Sequence, residues 1–346
     1  MSQLPLTGQE RIAALQRFGY TEREAGFLCL AALHGGYFLR RHYSQFLARQ
    51  DGGTVAQLIE KALALNHARA LTYHPKTNIY HLYTRPFYEV LGQVDNRNRR
   101  QREPLTIKNK LMGLDFVLTH PGHRYLATEQ EKVEYFTGAL QLPYSVLPTK
   151  LYHSAESQTA RYFVEKYPIF LPTESPAGQP PVVSFCFVDE GMTTLARFTT
   201  FLGQYEELFA SLTQFRLIYV ASVPTLFEGA RRAFDRFVNL SANRANGSVH
   251  GNEIPGLLEH FAARRLYEAK DLAGFDRDKL IRYRNERQQF SGAKYDVLFE
   301  RWKTVGDGAV VEISAPENAP PERMCGAFST CLLEISYDLF GTLTAY

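Results

Sequence analysis

The amino-acid sequence predicts a mixed α/β protein built from more than one module. Three observations carry that expectation. Residues 21 to 92 show helical apolar periodicity, interrupted at glycines and ending in two short runs of high β propensity. In mid-chain, two nearly continuous apolar runs, Val182 to Val188 and Leu217 to Ala221, bracket a helical pattern. At 346 residues the chain also exceeds one ordinary core, which suggests domains of roughly 100–200 residues each. A composition of 45% hydrophobic and 22% charged residues can fill such cores and is not that of a disordered chain.

Thr21-Glu22-Arg23-Glu24 reads as a capping box, because the Thr21 hydroxyl can accept from an orphan amide while Glu24 reaches back. Behind it Ala25, Leu28, Cys29, Ala32 and Leu33 fall on one helical face, and Gly35-Gly36 ends the helix. A short second helix places Leu39, Tyr43, Phe46 and Leu47 inward and Arg40 and Arg41 outward. After Asp51-Gly52-Gly53, Thr54 to Gln57 reads as another capping box, opening a helix with Val55, Leu58, Ile59, Ala62 and Leu65 inside. Ala70 to Tyr73 and Ile79 to Tyr83 are strands, and His74 to Asn78 has the chemistry of a hairpin turn.

Three helices followed by a hairpin make a winged helix-turn-helix. Its third helix would enter a major groove with Thr54, Gln57 and Lys61, and with Asn66 and His67 near its end. Lys76 at the hairpin tip would touch phosphate. Just beyond, Asn96-Arg97-Asn98-Arg99-Arg100-Gln101-Arg102 is the densest basic run, extended by Lys108 and Lys110. A flexible cationic segment of this kind suits a phosphate backbone, although a solvated inter-domain linker is the plainer reading. The same alternative holds for Arg40 and Arg41. Double-stranded DNA is therefore the expected partner, with a protein-docking role for the winged helix, or a homodimer, kept open.

Leu105 to His120 reads as a buried helix joining two modules, and Thr128 to Glu131 as a capping box. Ile169 to Leu171, Val182 to Val188 and Leu217 to Ala221 are strands, and the helix from about Thr193 through Leu208 makes the last two a parallel crossover. Helices follow over 225–237, 254–267 and 279–289, then strands over Val310 to Ile313 and Cys331 to Ile335. The expected division is 1–92 as the winged helix, 93–120 as basic linker and connecting helix, 121–240 as an α/β domain and 241–346 as its extension.

The N-terminal pattern around Tyr37-Phe38-Leu39-Arg40-Arg41, and the stretch Phe185 to Leu195 with its Asp189-Glu190-Gly191, resemble the replication-relaxation family of plasmids and other mobile elements. The likeness covers about residues 20 to 225. It implies a second domain like a degenerate restriction-endonuclease-type fold, and a DNA-binding role in replication, transfer or transposition.

A nuclease of that type needs an acid on one strand, then an acid and a lysine two residues apart on the next, to hold Mg²⁺ and assist water. Met192 stands two residues after Glu190 and Gly191 two after Asp189, so the motif is broken. Asp189 and Glu190, weak metal candidates, are better read as capping the helix that follows. A metal-dependent nuclease with an atypical site remains the third alternative. The chain has no phosphate-loop, nucleophile-elbow or zinc-helix motif. No catalytic residue and no cofactor are expected. Four cysteines without Cys-x-x-Cys spacing, no apolar run near the roughly 20 residues of a membrane span and no secretory leader suggest a cytoplasmic protein.

Overall fold

The computed structural model describes residues 6–49, 52–74, 77–153, 158–164, 167–172, 181–191, 194–245, 254–269, 277–290, 293–311, 324–335 and 337. The chain is mixed α/β and forms two compact units, residues 1–235 with 325–346, and residues 236–324.

The first unit opens with α1 (Gly8–Gln16) and α2 (Glu22–His34), each started by a complete capping box, at Thr7 and Thr21. There follow β1 (Tyr37–Phe38), α3 (Arg40–Phe46), α4 (Gly53–Ala64), β2 (Ala68–His74), β3 (Thr77–Leu82) and α5 (Arg85–Val90). β3 pairs antiparallel with both β1 and β2, giving a sheet of order β1-β3-β2. Phe27, Leu28, Tyr43, Val55, Leu58, Ala62, Tyr80 and Phe87 share one buried core, as the helical spacing requires. The second expected capping box does not form. The Gly52-Gly53 turn carries the chain into α4 two residues early, Gly52 is the cap, and Thr54 lies within the first turn.

The basic run is not a loose linker. Arg97–Arg99 make a 3₁₀ turn capped by the Asn96 side chain, and Asn98 is 1% exposed, donating Nδ2–H to the Ala32 carbonyl at 2.9 Å. Gly36 sits opposite, at φ +80°, where a Cβ would stand 2.9 Å from the Asn98 carbonyl oxygen. Only glycine fits both the dihedral and the approach.

α6 (Pro104–Thr119), β4 (Arg124–Tyr125), α7 (Glu129–Glu134), β5 (Thr149–His153), β6 (Gln158–Tyr162), β7 (Ile169–Leu171), β8 (Val183–Asp189), α8 (Ala196–Gln204), α9 (Glu206–Ala210), β9 (Phe215–Ala221) and α10 (Phe227–Ala245) come next. α7 starts at the expected Thr128 capping box. β8 is buried along its whole length and runs parallel to β9, in register from Val183↔Phe215 to Asp189↔Ala221, the expected crossover. The single helix expected between them is two, because the chain leaves helical geometry at Tyr205 and seats that ring among Phe201, Phe209 and Phe185.

In the second unit, α11 (Ile254–Glu268), α12 (Arg277–Gln289), α13 (Ala293–Val305) and α14 (Gly308–Val311) enclose Leu257, Phe261, Phe290, Phe299 and Trp302. Val310 and Val311, expected in a strand, are helical. Burial of Val310 in this cluster overrides its β propensity, while Glu312 and Ile313 lie outside the described residues. β10 (Gly326–Leu332) returns to the first unit and pairs parallel with β9, five residues ahead of the expected start. The larger sheet therefore has the order β10-β9-β8-β7-β4, with β7 and β4 antiparallel to their neighbours.

Candidate nucleic-acid interface

α4 turns Val55, Leu58, Ile59 and Ala62 into the core, which leaves Thr54, Gln57 and Glu60 exposed on its outer face. Lys61 stands at the edge of that face and is engaged. Its Nζ lies 2.7 Å from the buried Glu24 carboxylate and donates to the Gly19 carbonyl at 3.2 Å. Asn66 is exposed at φ +55°, ending the helix. His67, expected beside it on the reading face, is instead buried, its Nδ1 bonded to the Tyr20 hydroxyl at 2.9 Å. Lys76 lies outside the described residues.

The two arginines of α3 part company. Arg40 is exposed, whereas Arg41 turns inward and grips the fully buried Asp115 of α6 with both terminal nitrogens, one of them at 2.7 Å. Asp115 also accepts from the Tyr337 hydroxyl at 2.6 Å, and His42 Nε2 faces it at 3.0 Å. Because the Leu39 amide donates to His42 Nδ1, the proton resides on Nε2. Burial by itself would raise the Asp115 carboxyl, but the hydrogen bonds and charge of Arg41 and His42 together outweigh it and hold the group well below the usual carboxylate range. An acid inside the apolar stretch Leu111 to Leu118 was the one sequence signal for this cluster.

The basic segment is divided in the same way. Arg100 is exposed, and Arg99 donates to the Val94 carbonyl at 2.7 Å. The Arg97 guanidinium lies over the Tyr152 ring, 4.3 Å from its centre. The Arg102 amide donates to the Tyr37 hydroxyl at 3.0 Å, and Lys110 Nζ reaches Asn98 Oδ1 at 2.7 Å. Lys108, half-buried, is 5.9 Å from the Tyr337 ring centre.

Asp189 and Glu190 are buried and do not cap the following helix, which starts at Ala196 without a side-chain cap. Asp189 accepts from the Tyr219 hydroxyl at 2.8 Å and the Gly191 amide at 3.1 Å. Burial and the Asp189 carboxylate push the Tyr219 phenol well up, so it stays protonated and donates. Glu190 accepts from Asn109 Nδ2 at 3.0 Å and is ion-paired with Arg197. Nothing in local spacing announced Asn109, Arg197 or Tyr219 as partners. Both acids are thus occupied by organic donors, and among the described residues no three His, Cys, Asp or Glu side chains gather as metal ligands. No protein-family model, curated protein or solved structure matches the chain. No helix among the described residues is long and apolar enough to cross a membrane.

Proposed function

We propose that this chain is a non-catalytic, duplex-DNA-binding protein of a bacterial mobile element, acting as a regulator or accessory factor in replication, transfer or transposition. The observation that carries the reading is the order α2-β1-α3-α4-β2-β3 with β1 added to the hairpin. We read that order as winged helix-turn-helix connectivity, with the exposed Thr54 and Gln57 on the outer face of its third helix, where base edges would be read. Arg40 and Arg100, both exposed, are the backbone-contacting cations in this reading. The mobile-element context rests on the family resemblance of the N-terminal pattern and the β8 end. The larger sheet is read as a relative of nuclease folds whose acids have taken structural partners.

Fluorescence anisotropy against random and selected duplexes, across a salt series, tests this. Gln57→Ala should lose about 1–3 kcal/mol of discrimination at one base position. Arg40→Ala and Arg100→Ala should weaken all duplexes alike, each reducing the salt slope by about 0.9. Duplex binding unchanged in all three variants would reject the placement.

A protein-docking role is the second reading. It is favoured by the commitment of Lys61 of α4 to Glu24 and of Arg41 of α3 to Asp115, which leaves these two helices with little unpaired positive charge for phosphate.

A further inference from the structure

We propose that the cavity between α6, the Arg97–Arg102 segment and the end of β8 binds a small phosphate monoester of the nucleotide class. The cavity encloses about 390 Å³, within the roughly 300–1,000 Å³ of small-ligand pockets. Arg97, Arg102, Lys110 and Arg197 line it, and among the described residues its one carboxylate is Glu190, which Arg197 neutralises. Burial, with Lys132 nearby, depresses the His34 imidazole in the same wall to about 3, so it adds no charge at neutral pH.

Cations on a convex surface fan apart and are screened by water. Here they converge on a concavity, where low-dielectric walls concentrate the field and favour an anion. Among the described residues, Arg97 and Arg102 have no carboxylate partner. The fold already holds the Arg97 guanidinium, the Lys110 ammonium and the Arg102 backbone in place. Tyr152 supports the Arg97 guanidinium, Tyr37 anchors the Arg102 backbone, and buried Asn98 positions Lys110. Side chains ordered before binding lose little entropy on contact, and guanidinium forks match phosphate oxygens bidentately. Tyrosine surface from Tyr152 beside this centre suits a phosphate ester that carries a ring better than the bare ion.

The proposal stands on the cavity and not on the winged-helix reading. It does reassign half of the basic run: Arg97 and Arg102 serve the cavity, and Arg100 faces solvent.

Calorimetry and thermal shift on the full chain, with a nucleoside 5′-monophosphate, the parent nucleoside and inorganic phosphate, provide the test. The monophosphate should bind at least about tenfold tighter than the nucleoside, and Arg97→Ala or Arg102→Ala should each weaken it about tenfold or more. Arg102→Lys should keep part of the affinity, and Arg100→Ala, outside the cavity, should keep all of it. Duplexes with and without a 5′-phosphate distinguish the source of the ester. A preference for the phosphorylated end that vanishes in Arg102→Ala supports capture of a DNA terminus. No preference, with monophosphate binding intact, supports a free nucleotide. The proposal is overturned if the wild-type chain takes up no monophosphate at millimolar concentration, or if Arg97→Ala and Arg102→Ala bind it unchanged while circular dichroism shows them folded. Gln57→Ala should leave monophosphate binding untouched, so failure of the DNA reading and failure of this one are separable.

Discussion

At the scale of single residues, the cluster around Asp115 carries the largest local stake. Its carboxylate is wholly buried and balanced by Arg41, with His42 and Tyr337 completing its contacts. Removing Arg41 would leave that charge uncompensated, so Arg41→Ala should cost about 3–5 kcal/mol in urea denaturation. Tyr337→Phe removes one donor to a charged acceptor and should cost about 1–3 kcal/mol. The depressed Asp115 carboxyl contributes stability that is present above its unfolded value of 3.8 and is lost as pH falls below it. Histidine 81 adds a second pH dependence, in a higher window. It is fully buried between Arg69, whose Nε–H donates to its Nδ1 at 3.3 Å, and the Asn98 carbonyl, which accepts from its Nε2 at 2.8 Å. Burial lowers it from 6.5 to about 4. The unfolded chain therefore binds a proton first, and stability should fall as pH drops from about 6.5 to about 4, by on the order of 3 kcal/mol. His81→Gln should flatten that part of the profile; an unchanged slope would show that the ring is not kept neutral by the fold.

At the scale of elements, two of the three capping boxes read from sequence, at Thr21 and Thr54, separate cleanly in their consequences. Thr21 accepts from the Glu24 amide at 3.3 Å while Glu24 accepts from the Thr21 amide at 2.8 Å. Thr21→Ala should therefore cost about 1 kcal/mol. Thr54 is exposed inside the first turn of α4 and caps nothing, so Thr54→Ala should stay within about 0.5 kcal/mol of the parent in chemical denaturation. Equal losses in the two variants would contradict the assigned start of α4. The pair also illustrates which signals were legible. Capping at Thr21 and Thr128, the buried strands β8 and β9 and the periodic helices α2 and α6 depend on neighbours within a few positions, and they lie close to where sequence reasoning put them. Helix α1, with its local Thr7 capping box, escaped it; the partners that also escaped depend instead on distance along the chain: Glu24 with Lys61, Asp115 with Arg41, and Glu190 with Asn109 and Arg197. Charged residues read as free cations or as helix caps were claimed by partners that no spacing rule links. Val310 marks the complementary error, where a strand-forming residue joined a helical cluster because burial there outweighs a preference of about 1 kcal/mol.

At the scale of the whole molecule, the first unit is completed by residues that follow the second in sequence. β10 supplies the outermost strand of the larger sheet, paired with β9 over seven positions from Gly326↔Phe215 to Leu332↔Ala221. Tyr337, just beyond it, brings a hydroxyl to Asp115. Gly326 lets this strand lie close, since a Cβ there would stand 2.6 Å from the Phe215 ring. A chain ending at residue 324 would lose these features together: the ladder hydrogen bonds, the cover on the β9 edge and one donor to a buried carboxylate. An uncovered parallel strand as apolar as β9 is also a template for association. The truncated protein is expected to unfold at markedly lower urea than the full chain and to self-associate in sedimentation velocity. Adding a peptide of residues 325–346 in excess should restore part of the lost midpoint, because binding to the folded state alone stabilises it. A truncated chain that unfolds at the parental midpoint as a monodisperse species would show that β10 and Tyr337 contribute nothing to the first unit, and would remove the basis for assigning them to it.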